Sequence, residues 1–84
     1  MTTEAMEQRL KDLLHVQMQV MFKAMKNKDP DLITNTQVSA AMTLTALAVL
    51  KFSDNPAADM SDIIDQGYDP GPAVLAAISE VFYD

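Results

Sequence analysis

The sequence predicts an all-α fold, and three observations carry that expectation. Glu4 to Lys28 contains no glycine or proline and is rich in Met, Leu, Gln, Lys, Glu and Ala, the straight-chain helix formers. Apolar residues recur at helical spacing there and again in residues 74–82. The four prolines and two glycines all fall between the candidate helical segments, at 30, 56, 67, 70, 71 and 72. The expected architecture is a single helical domain over 1–84, of three main helices plus one short helix, oligomerising through the first.

The first helix is expected over 4–28, capped by Thr2 or Thr3. Glu4 and Glu7 lie near the positive end of its dipole, and Lys23, Lys26 and Lys28 near the negative end. Stepping about 100° per residue, its apolar side chains from Met6 to Met25 fill an arc of about 240°. A helix resting on one neighbour needs little more than 100°, so this one should be covered on two sides. Leu14, Met18, Met21, Phe22 and Met25 form the edge of that arc and are the candidate interface.

Asn27-Lys28-Asp29-Pro30-Asp31 reads as a stop, because proline removes a donor and biases the preceding residue away from the helical region. After a short loop, Thr34 or Thr36 is expected to cap a second helix running to Phe52. The β-tolerant run Thr43-Leu44-Thr45 with Val49 offers a strand as the alternative, but Ala40, Ala41, Ala46 and Ala48 favour helix. Val38 to Leu50 carries no charge, so this helix should be buried all round, with Leu47 in its centre.

Ser53-Asp54-Asn55-Pro56 is a turn cluster, followed by a short helix at Asp62 to Gln66 capped by Ser61 and stopped by Gly67. The last helix starts with Asp69 and Pro70, or with Gly71 and Pro72, as cap and first residue. Val74, Leu75, Ile78, Val81 and Phe82 then share its inner face, leaving Ala76, Glu80 and Tyr83 outward.

At 84 residues with 49% apolar content, the chain has more apolar surface than a small core encloses, which directs the remainder to an interface. There is no cysteine, hence no disulfide, thiolate zinc site or cysteine nucleophile, and a cytoplasmic setting (a host cytoplasm or a virion) is expected. Met1-Thr2-Thr3-Glu4 lacks the features of a signal peptide. The uncharged stretch Leu32 to Leu50 holds Thr34, Asn35, Thr36, Gln37, Ser39, Thr43 and Thr45, too polar for a transmembrane span, and no membrane partner is expected.

Charge divides the chain. Residues 1–51 hold all six bases against five acids, whereas residues 52–84 hold seven acids and no base. An acidic surface repels nucleic acid and anionic membrane and favours basic protein surfaces. Asp59, Asp62, Asp65 and Asp69 would line one face of a continuous helix, forming a solvated acidic face or a patch for a basic partner. Calcium loops need ligands alternating around a glycine, so no metal is expected there. Nothing around these carboxylates supports a raised pKa for acid–base catalysis. His15, the only histidine, lies among polar positions between Lys11 and Gln19 and lacks the second ligand a metal site needs. Thr34, Thr36, Gln37 and Val38 with Ala40 and Ala41 resemble the opening of a helix-turn-helix motif, but no basic recognition helix follows.

These readings converge on a non-catalytic, cofactor-free protein–protein interaction module: an adaptor, assembly subunit or inhibitor. It self-associates through the methionine-rich first helix and offers its acidic third to a basic partner. Two other classes are carried beside it. One is an acidic nucleic-acid mimic of phage type; the other is a DNA-binding packaging or regulatory adaptor using Lys23, Lys26 and Lys28, although direct nucleic-acid binding is disfavoured by the net charge of −6.

Overall fold

The computed structural model is all-α and describes residues 1–67 and 69–83. Its four helices are α1 (Thr3–Lys26), α2 (Pro30–Phe52), α3 (Pro56–Asp65) and α4 (Pro72–Phe82). α1, α2 and α4 are the three main helices expected and α3 is the short one, ten residues long.

α1 begins as its cap predicts. Thr2 is extended, and its Oγ1 accepts from the Ala5 N–H at 3.1 Å. The helix ends at Lys26, two residues short of the expected end, because Lys28 adopts a left-handed backbone (φ 53°) and turns the chain. The Asp29 N–H then bonds the Ala24 carbonyl at 3.0 Å, closing a tight turn.

Asp29-Pro30 is a helix start and not a loop. Asp29 is the cap, its Oδ1 accepting from the Leu32 N–H at 3.2 Å, and Pro30 takes the first turn, where its missing donor costs nothing. Thr34 and Thr36 are thus interior to α2, donating back to the Pro30 and Leu32 carbonyls at 3.0 and 2.6 Å. The same logic corrects α3, which is ten residues long, with Asn55 as cap and Pro56 at its start. Ser61 lies inside it and meets the Tyr83 hydroxyl at 2.7 Å, joining α3 to α4. At α4 the Gly71–Pro72 start holds, with Gly71 at φ 96°, a region glycine enters freely. Asp69 instead accepts from the Gly71 N–H at 3.0 Å and shapes the turn before the helix.

A three-residue turn between helices of 24 and 23 residues, each about 35 Å long, makes α1 and α2 an antiparallel hairpin lying along the molecule's 40 Å axis. Leu10, Gln17 and Ala24 are the buried residues of α1, spaced seven apart, and Thr36, Ala40 and Thr43 are among those of α2. Small side chains at this seam let the two axes approach closely. α3 and α4 pack on one side of the hairpin. The core cluster joins Leu10, Met42, Ala46, Met60, Val74, Ile78 and Val81, with Leu47 half-buried against it. Three of these seven come from α4, which supplies most of the cover.

Two burial expectations are overturned. α2 contacts every other helix but is not buried all round: Val38, Leu44 and Phe52 are exposed, Phe52 by 79%. α3 reaches only one edge of its outer side, where Ile63 borders a cavity with Val38, Ala41, Met42 and Thr45. Leu75 is also exposed, and Ala77 takes its place on the inner face of α4. Phe82 is half-buried, while Ala76, Glu80 and Tyr83 face outward as expected.

Candidate interaction surfaces

The two sides of the hairpin differ. On the first, α4 runs beside α1 and α2. Its start (Pro70 to Val74) borders an open groove of about 320 Å³ with Leu13, Val16 and Val20 of α1 and Leu32, Asn35 and Ser39 of α2. The Ser39 hydroxyl donates to the Pro70 carbonyl at 2.6 Å, and Arg9 pairs with Glu80 at 3.2 Å near the far end of α4. Asn35, Ser39, Met42 and Ala46 mark this side of α2.

Residues about 140–200° further round each helix lie on the opposite side. On α1 these are Met18, Phe22 and Met25, exposed by 45, 61 and 54%. Leu14 and Met21 are half-buried between them and the seam. The five candidate interface residues thus fall on one continuous stripe, three of them open to solvent. On α2 the matching positions are Ile33, Gln37, Leu44 and Ala48; Leu44 is 54% exposed. Sequence reasoning placed Gln37, Leu44 and Ala48 in a helix closed on all sides and Ile33 in the loop before it, and so missed them. The sequence held no signal for them: a helix without charge contains no marker of which face meets water.

The seven methionines divide between roles. Met42 and Met60 fill the core, Met6 and Met21 are half-buried, Met18 and Met25 are exposed on the stripe, and Met1 is exposed ahead of α1. Gln17 is the second feature that sequence reasoning missed. It lies in the middle of the apolar arc, seven residues from both Leu10 and Ala24, and its buried amide has no hydrogen-bond partner at either Nε2 or Oε1.

The acidic set is split. Asp59, Asp62 and Asp65 lie on α3, exposed and without an ion-pair partner among the described residues. Asp69 lies beyond the turn at Gln66 and Gly67, so the four never share a helix face. Asp59 also accepts from the Ser53 hydroxyl, a bond that ties α3 to the end of α2. Among the described residues no three His, Asp or Glu side chains gather closely enough to hold a metal ion. His15 is exposed, its Nε2 3.2 Å from the Gln19 amide nitrogen.

Lys23 and Lys26 occupy the last turn of α1 and Lys28 the turn after it, all exposed and close in sequence to Asp29 and Asp31. α2, at 23 residues with a mean hydropathy of 1.3 over its most apolar window, is long and apolar enough to cross a membrane by length and composition. The helix-turn-helix resemblance does not extend to the structure, since 30–52 is one unbroken helix. No protein-family model, curated protein or solved structure matches the chain.

Proposed function

We propose that this chain is a small non-catalytic interaction module that self-associates through the methionine-rich stripe of α1 and engages a basic protein surface with the carboxylates of α3. The observation that carries the reading is the stripe itself. Met18, Phe22 and Met25 stand open on a helix whose Leu10 is already sealed in the core cluster with α4. Single exposed apolar residues are ordinary, but a contiguous set on one face marks a contact surface. Methionine, unbranched and polarisable, suits a surface that adapts to what it meets.

The acidic half rests on Asp54, Asp59, Asp62 and Asp65, exposed and without an ion-pair partner among the described residues. Such a patch steers association more than it holds a complex together. Its test is binding to an immobilised lysine-rich peptide at low and high salt. Association should slow as salt rises, since exposed charges are screened over about 8 Å at physiological ionic strength. Asn substitution of Asp59, Asp62 and Asp65 should slow it similarly. Binding indifferent to both changes makes α3 a solubilising face only.

A further inference from the structure

We infer that the open side of the whole α1–α2 hairpin, and not the α1 stripe alone, is covered by the same side of a second copy, so that two hairpins form a four-helix bundle about a two-fold axis. This rests on the self-association reading and adds α2 to the contact. Three observations lead to it.

The first is the two-sidedness of the hairpin. α3 and α4 cover one side apart from Val16, Val20 and Leu32 beside the start of α4, and the other carries Met18, Phe22 and Met25 from α1 and Ile33, Gln37, Leu44 and Ala48 from α2. These two rows belong to adjacent antiparallel helices, so they form one surface two helices wide. Another antiparallel pair matches that width, and antiparallel helix pairs packed face to face are the geometry of four-helix bundles.

The second is area. The accessible surface is 5500 Å² for 9.2 kDa, against about 4900 Å² for a compact monomer of that mass. The radius of gyration is 13.0 Å, where a compact domain of this length has about 12 Å. The excess of about 600 Å² approaches the roughly 800 Å² that each partner contributes to a standard interface.

The third is charge. A two-fold contact sets each residue's surroundings against a copy of themselves, so a charged centre would face its like. α2 has no charge from Leu32 to Leu50, and on α1 Lys11 pairs with Glu7 at 3.1 Å, while Lys23 and Lys26 stand beside Phe22 and Met25 at one end of the row. The α2 half of this side is therefore neutral and compatible with its own copy. The acidic helix α3 is on the covered side, and in such a dimer it stays free for a partner.

Light scattering on the full chain, with Leu44→Glu, Ala48→Glu and Phe22→Glu beside it, tests the inference. The wild type should have about twice the 9.2 kDa chain mass, and each variant should return to 9.2 kDa with helical circular dichroism retained. A wild-type monomer at high concentration overturns both this inference and the self-association reading. If Phe22→Glu dissociates the assembly while Leu44→Glu and Ala48→Glu leave it intact, α1 associates alone and the inference falls by itself. Because the chain has no cysteine, Leu44→Cys adds a unique thiol and a readout that does not depend on a destabilising charge. Its maleimide labelling should slow severalfold between dilute and concentrated protein; an unchanged rate contradicts the inference. Binding of the monomer to neutral phosphatidylcholine vesicles, with Leu44→Cys protected only there, makes a bilayer the occupant and also overturns it.

Discussion

On the covered side of the hairpin, Leu10, Met42, Ala46 and Met60 meet Val74, Ile78 and Val81 and are shut from water, while Val16, Val20 and Leu32 beside the start of α4 stay 38–53% exposed. On the open side the residues are just as apolar and about half exposed. Hydrophobicity alone therefore does not separate core from interface in this chain. What separates them is whether the same chain supplies a covering element, and α3 and α4 together contribute only 21 helical residues, enough for one side. The same residue type consequently serves different ends, with Met60 filling the core and Met25 standing in solvent.

The largest effect that sharpens this comparison is a truncation on the covered side. Ile78→Ala removes a fully buried side chain from the cluster and should cost about 2–5 kcal/mol, lowering the thermal midpoint by about 10 °C or more. The matched change on the open side, Leu44→Ala, should cost less than about 1 kcal/mol in dilute protein, where no second copy covers it. Equal losses in dilute protein would erase the distinction between the two sides. Leu47→Asp sits between these limits. Leu47 is half-buried against the core, so the introduced carboxylate should destabilise by about 1–3 kcal/mol, less than at a sealed site. Thermal melting checks all three.

The seam between the two sides gives a change of opposite sign. Gln17 buries an amide with no partner, and an unmade hydrogen bond in a closed site costs about 1–3 kcal/mol. Gln17→Met, close in shape, should therefore raise the thermal midpoint, and a lowered one would mean the amide is satisfied in solution. The smallest effect is expected at Lys23→Ser, an exposed position without an ion pair in the described structure, which should move stability by no more than about 0.5 kcal/mol.

The helical class, the Thr2 cap of α1, the Gly71–Pro72 start of α4 and the α1 stripe were legible in the sequence, because each rests on local chemistry or on periodicity over several turns. The starts of α2 and α3 were misread for one shared reason. Asp29-Pro30 and Asn55-Pro56 both place a cap residue before a proline, and proline serves as readily in a helix's first turn as after its last. Which of the two applies depends on whether apolar periodicity resumes at once, and the polar run Thr34 to Gln37 hid that resumption. The exposed side of α2 was illegible for a different reason. With no charge between Leu32 and Leu50, no residue marks solvent, and only the position of α4 relative to α1 decides which side stays open. Gln17 was overlooked because one polar residue inside a broad apolar arc does not disturb the pattern.

The central claim, that the open side is apolar in order to be covered by a second copy, is tested most directly on the unmodified chain by the rate at which each methionine is oxidised by peroxide, followed by mass spectrometry at low and high protein concentration. Sulfoxide formation at a thioether follows its exposure. In dilute protein Met18 and Met25 should oxidise quickly and Met42 and Met60 slowly, matching their exposure. In concentrated protein Met18 and Met25 should become protected severalfold, with Met42 and Met60 unchanged. Rates at Met18 and Met25 that are the same at both concentrations would contradict the account.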